Sequence, residues 1–277
     1  MRTVELIDGI KSSALGFGCA PILGSVDAKK ARRALDIALD CGINHFDLAR
    51  SYGYGKAETF VGKVVKGRRN RVVLASKFGI KVSWKAQLLS PVKPVVRFMM
   101  DTMKKKSGHG AKPGAPAISN NLHYRISLTG AEMRKSLEQS LQALQTDFLD
   151  YYFIHEPNEI LVHAEELKFT AEKLKTEGKI RGWGIAYMRA EKDKFQNVLN
   201  QFDVQQFDNS PGSVNYSNVV TDRGLKPNIL FSPLRGGSKD LSANEKLQKL
   251  FRDFPNSVVL CSMFNEQHIK ENVRLAE

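Results

Sequence analysis

Long apolar runs are missing from this 277-residue chain. Those that occur, such as Val72-Val73-Leu74-Ala75 and Ile229-Leu230-Phe231, fall far short of the roughly 20 residues a bilayer span needs. No membrane-crossing helix is expected. Cysteine is scarce: Cys19, Cys41 and Cys261 are odd in number, widely separated and in no CxxC pair, which argues against a disulfide framework and a cysteine zinc site. They read as buried thiols in a reducing compartment. An apolar leader is also lacking, since Glu5 and Asp8 stand where a signal peptide would carry its apolar core. A cytoplasmic protein is the expectation. Low-complexity tracts are absent too, and with 42% hydrophobic residues the chain can bury a real core, which excludes wholesale disorder.

The formal net charge is +13, which raises the question of a polyanionic partner. Its location answers most of that question. Between 81 and 112 stand eight Lys or Arg (81, 85, 93, 97, 104, 105, 106 and 112) against one acid, Asp101, so one short segment holds more than half of the excess. The remainder is ordinary for a soluble enzyme. The basicity belongs to a segment, not to the fold.

Short β-branched or aromatic runs that read as buried strands recur at 15–20, 44–49, 72–78, 149–155, 181–186, 204–209, 228–234 and 257–263. Helical periodicity fills the gaps at 28–41, 56–66, 130–145, 163–177, 190–201, weakly at 215–223, and at 243–254 and 266–276. Asp27 is placed to cap the first helix, and Gly42 and Gly178 stand just past the ends of the first and fourth. Eight strands alternating with eight helices predict a (β/α)8 TIM barrel, preceded by an N-terminal β-hairpin over 1–14 that turns at Asp8-Gly9. One barrel domain over 1–277 is sufficient. Residues 81–127 form a long irregular insertion after the third strand, on the face where such barrels carry their active sites.

Four titratable side chains stand at or just past successive strand ends: Asp47 and Tyr52 after the second strand, Lys77 on the third and His155 on the fourth. Taken singly, each reads as readily as a structural group: an Asp47–Lys77 ion pair and a satisfied core histidine. At matching heights on neighbouring strands they suit proton donation to a carbonyl oxygen. Tyrosine, with a reference pKa of about 10, is a poor acid at neutral pH, and a nearby Lys77 ammonium is expected to lower that value. Asp47 would keep the lysine charged and oriented, and His155 would hydrogen-bond the carbonyl.

The stretch 42–62, with His45-Phe46-Asp47-Leu48-Ala49-Arg50-Ser51-Tyr52-Gly53 at its centre, resembles the first signature of the aldo-keto reductases. The resemblance continues through Ser136-Leu137-Glu138-Gln139-Ser140-Leu141, His155-Glu156-Pro157, Gly182-Trp183-Gly184, Phe231-Ser232-Pro233-Leu234 and Glu271-Asn272, in family order. It covers the chain except 81–127 and parts of 210–256. It implies a catalytic tetrad at Asp47, Tyr52, Lys77 and His155, with Tyr52 as general acid, no metal, and hydride transfer between a nicotinamide cofactor and an aldehyde or ketone. The cofactor implied is NADPH, with NADH possible. Gln206 matches the carboxamide contact and Phe231 the nicotinamide stack, while Ser232, Leu234, Gly236 and Gly237 match the pyrophosphate lining, and Ser262 and Asn272 the adenine end.

Ala186-Tyr187 replaces a Ser-Asn pair that the family often uses to hold the carboxamide. Ser262, Asn265 and His268 stand where NADPH-selective members carry basic residues. The segment 235–241 is also short, so a loosely held cofactor is expected. The competing reading is a catalytically weak, cofactor-binding regulatory or interaction protein on the same barrel. For the insertion, the apolar positions of 88–103 beside Trp84 suggest a lid over the substrate pocket. The second reading is peripheral membrane or acidic-partner contact through 85–112. Nucleic-acid contact is not expected, because aromatic interleaving is poor.

Overall fold

The computed structural model describes residues 1–83 and 122–277. In chain order the strands are β1 Thr3–Glu5, β2 Lys11–Ser13, β3 Leu15–Gly18, β4 His45–Asp47, β5 Val73–Phe78, β6 Ile80–Val82, β7 His123–Arg125, β8 Leu149–His155, β9 Ile180–Tyr187, β10 Val204–Asp208, β11 Asn228–Phe231 and β12 Val258–Cys261. The helices are α1 Ala28–Asp40, α2 Ala57–Val65, α3 Gly130–Leu144, α4 Ala164–Thr176, α5 Tyr216–Arg223, α6 Ala243–Asp253 and α7 Glu266–Leu275. Strands β3, β4, β5, β8, β9, β10, β11 and β12 pair in that order, all parallel, and β12 closes back onto β3. The expected barrel is there. So is the hairpin, as the antiparallel pair β1–β2.

Helices α1 and α3 each bury one stripe. In α1 the buried positions Ala31, Ala34, Leu35 and Ala38 repeat at three and four, and Asp27 caps the helix by accepting from the Lys30 N–H at 2.9 Å. The same logic places Met133, Leu137, Leu141 and Leu144 of α3 against the wall, and Ser242 with Glu245 forms a capping box on α6. Gly42 and Gly178 take left-handed conformations just past α1 and α4, as their positions predict.

Three expectations need correction. Residues 190–201 do not form an α-helix but two 3₁₀ turns, Arg189–Phe195 and Leu199–Gln201. Phe195 and Leu199 are their only buried residues, too few for an apolar stripe. The ends of the insertion are not irregular, since β6 and β7 pair antiparallel, with Lys81 opposite Tyr124. Cys41 is only half-buried, whereas Cys19 and Cys261 are buried thiols; all three are free. The lid, membrane and partner readings of 85–112 fall on residues outside those described.

Register places the polar groups. Asp47 lies opposite Ala75, and Lys77 is two residues further along the same face of β5. Lys77 lies opposite Phe153, and His155 is two further along that face of β8. His155 lies opposite Ala186, which lies opposite Gln206. Asp47, Lys77, His155 and Gln206 therefore all face the barrel interior, stepping up the wall.

One layer below Asp47, His45 is fully buried and stacked on Tyr151 at 5.9 Å, with Nδ1 3.1 Å from Ser12 Oγ. Burial, helped by the Lys77 charge, pushes its pKa down to about 3. The folded value lies below the unfolded one, so below about pH 6.5 the unfolded chain takes up a proton that the native state refuses, and stability falls with pH. This group is expected to remove about 2 kcal/mol between pH 7 and pH 5, at about 1.4 kcal/mol per unit below 6.5. Urea unfolding of the wild type and of His45→Gln at both pH values checks this: the variant should lose correspondingly less, and equal losses refute it.

Candidate active site

Past Asp47 the β4 backbone keeps pairing, with the Leu48 N–H on Ala75 O at 2.8 Å and the Arg50 N–H on Lys77 O at 3.3 Å. The chain then turns sharply. Gly53, Tyr54 and Gly55 all have positive φ, and at Gly53 a Cβ would lie 2.5 Å from Ile22 O, so glycine is required there. This turn delivers Tyr52 over the barrel mouth. Behind it, Glu58 of α2 is buried with its carboxylate paired to Arg50 and accepting from Ser76 Oγ at 2.6 Å, which ties the turn to the strand bearing Lys77.

The four residues picked out at the strand ends converge. Lys77 Nζ donates to Asp47 Oδ2 at 2.6 Å, to Leu48 O at 2.8 Å and to Tyr52 Oη at 3.3 Å. The second Asp47 oxygen accepts from Gln206 Nε2 at 3.0 Å. His155 sits edge-on to Tyr52, ring centroids 5.8 Å apart. Burial works against the Lys77 ammonium, but the Asp47 carboxylate and the tyrosine oxygen outweigh it and leave its pKa raised. His155 is held neutral, its pKa well below the usual histidine value through burial and the charges of Lys77, Arg125 and His123. The expectation for Tyr52 was a lowered pKa, and the opposite holds. Burial dominates and pushes it up to about 12, with Lys77 pulling only part of the way back.

A cavity of about 810 Å³ opens above these groups, lined by Tyr52, Tyr54, His155, Phe231, Ser232 and Gly236 among others. Of the residues matched to cofactor binding, Phe231, Ser232 and Gly236 face this cavity, while Gln206 lies beneath it on Asp47. Gly237 packs under the same loop, where a Cβ would meet Pro211 O at 2.2 Å, and Leu234 is exposed beside it. Ser262 and Asn272 are not part of the cavity wall. Ser262 Oγ donates to Gly18 O at 2.9 Å, and the Asn272 amide contacts Met263 Sδ at 3.2 Å. Sequence reasoning missed His123, Glu156, Met188, Asp208 and Arg235, which also line the cavity. Glu156 adjoins His155 in the motif, but nothing in its spacing tells which way it faces. His123 sits in the stretch read as irregular.

The closed parallel barrel thus brings an aspartate, a lysine, a tyrosine and a histidine together at its mouth, at or just past the carboxyl ends of its strands. A family model described as the aldo/keto reductase family matches residues 14–248. The chain belongs to that family. It is 30% identical over 204 residues to the aldo-keto reductase YhdN of Bacillus subtilis, covering 71% of this chain and 50% of that one. It thus spans about half the length of that relative. Among solved structures, an aldo-keto reductase of Klebsiella pneumoniae in complex with NADPH superposes with a TM-score of 0.69 at 22% identity, covering 99% of this chain and 89% of that one. One from Bacillus halodurans superposes with a TM-score of 0.69 at 24% identity, covering 100% and 90%. At such identities the superpositions speak to the fold.

Replacing Asp47 by Asn leaves the Lys77 ammonium buried without its anion. Chemical denaturation should show a loss of about 3–5 kcal/mol, whereas Asp47→Leu combined with Lys77→Met should recover at least half of it. Additive losses would refute the account of the pair.

Proposed function

We propose that the chain is an NAD(P)H-dependent oxidoreductase that reduces an aldehyde or ketone to an alcohol, with Asp47, Tyr52, Lys77 and His155 as its catalytic residues. The observation that carries this reading is the buried hydrogen-bonded chain from Asp47 through Lys77 to the Tyr52 hydroxyl, beside a neutral histidine. When bound, the reduced nicotinamide supplies the hydride for the carbonyl carbon, and the matching proton must come from the protein.

Tyr52 supplies that proton. With its pKa near 12 the hydroxyl is fully loaded at neutral pH, and Lys77 is placed to stabilise the phenolate left after transfer. His155, being neutral, can present an N–H to the carbonyl oxygen without competing as an acid. The residues fit a nicotinamide. Asp47 takes the Gln206 amide N–H₂, so Gln206 Oε1 is left buried without a partner, an acceptor suited to a carboxamide N–H. Phe231 offers a half-buried ring at the cavity, and at Gly236 nothing lies within 4 Å of a Cβ position, leaving open backbone for a phosphate. The relative solved with NADPH supports that cofactor as the first choice.

NADPH or NADH mixed with a panel of reactive aldehydes, followed by nicotinamide absorbance, tests the reading. Tyr52→Phe should fall at least about 100-fold. The wild-type reduction rate should stay flat from pH 6 to about 10, because the acid remains protonated throughout. Turnover no faster than that of Tyr52→Phe overturns the proposal.

A further inference from the structure

The amino ends of the barrel strands, opposite the mouth that carries Tyr52, hold a second cavity, of about 390 Å³. Small-molecule sites commonly enclose about 300–1,000 Å³. Three separate segments bring cations to it: Lys11 on the hairpin strand β2, Arg69 and Arg71 from the 3₁₀ turn that leads into β5, and Arg181 at the start of β9. Among the described residues that line it, Asp150 is the one carboxylate.

Asp150 is already shared. Its Oδ2 accepts from Arg69 at 2.8 Å and from the Leu74 N–H at 2.9 Å, and its Oδ1 accepts from Arg181 at 3.1 Å. Arg69 is committed to the frame, since it also reaches Thr146 Oγ1, Val72 O and Phe148 O and lies 3.7 Å from the centre of the Phe148 ring. Arg181 spends a second donor on Gly9 O at 3.0 Å and otherwise stands exposed. Glu5 is tied back to the Gly9 N–H at 3.2 Å and does not line the cavity. Lys11 and Arg71 are the unspent charges. Both are exposed, and neither side chain has a hydrogen bond or ion pair among the described residues.

Four cations around one carboxylate leave the cavity strongly positive, and the exposed Lys66 and Arg68 add to the same field from just before the turn. Holding like charges together costs Coulomb energy, which a bound anion removes. The donors narrow the kind of anion. A planar carboxylate offers its acceptors in one plane, whereas a tetrahedral phosphoryl group has oxygens on several sides and suits cations arriving from three segments. Arginine contributes a fork of N–H donors and lysine a compact charge, the two ways in which phosphate is held.

We propose that this basal cavity binds a small phosphate-bearing anion through Lys11, Arg71 and the exposed edge of Arg181, at a site separate from the catalytic mouth.

Isothermal titration of the whole chain with pyrophosphate, in about 50 mM NaCl where screening is weak, tests this. The wild type should bind at a single saturable site with a Kd below about 1 mM. Lys11→Gln and Arg71→Gln should each raise Kd about tenfold, the loss expected for one charge-assisted hydrogen bond, and together should abolish measurable binding. Pyrophosphate should raise the Tm of the wild type but not that of the double variant. Without the anion the two should melt alike, because both side chains are exposed and unpaired; the single variants carry the test if the double one melts lower. Arg235→Ala, at the mouth, should bind as the wild type does, and citrate should bind at least about tenfold more weakly than pyrophosphate. The proposal is overturned by the absence of saturable binding, by undiminished binding in the Lys11 and Arg71 variants, by loss of binding in Arg235→Ala, or by citrate bound as tightly as pyrophosphate.

Discussion

Everything at the mouth of the barrel depends on one buried ion pair, Lys77 with Asp47. Removing two charges from water costs several kcal/mol each, and their attraction offsets this only where every remaining donor and acceptor is satisfied. Here the satisfaction is nearly complete: the lysine reaches Asp47, Leu48 O and Tyr52, while Gln206 takes the second carboxylate oxygen. The pair is more than a strut. By spending one lysine proton on Tyr52 it connects the charge to the group that would do the chemistry.

The magnitude of burial corrects a simple electrostatic argument. A lysine 3.3 Å from a phenol ought to favour the phenolate, yet Asp47 cancels much of that charge and desolvation exceeds what is left. The resting tyrosine is consequently a weak acid that is always loaded. In the reaction proposed above, such a group suits donation to a carbonyl oxygen that gains negative charge more than abstraction from an alcohol.

How much of this was legible in the sequence follows from the range of the interactions. Barrel strands buried on both faces write continuous apolar runs, and the parallel register that follows from them places Asp47, Lys77 and His155 on one face, so the fold and the convergence of these three side chains could be read from local pattern. The pairing of β6 with β7 could not. His123-Tyr124-Arg125 is exposed at all three positions and carries no period, and its partner lies some forty residues earlier, so the signal is a backbone ladder that leaves no side-chain trace. The 3₁₀ turns at 189–201 failed for a related reason, since two buried residues four apart imitate the start of a helix. Burial of Tyr52 was invisible for a third: it depends on the whole mouth, not on its neighbours in the chain.

The strained positions reveal where the fold spends its stability. Among the described residues, Tyr54, Glu156 and Ser232 are non-glycine residues at positive φ that line the cavity, and all three follow barrel strands at their carboxyl ends. Strain of this kind costs on the order of 1–3 kcal/mol per residue and persists only where the surroundings overdetermine it. At Glu156 the overdetermining contacts come from Ala186 of the barrel and Arg125 of the insertion arm. The arm is therefore part of the site's construction: through Arg125 it holds a backbone carbonyl one residue past the histidine, at the cavity wall.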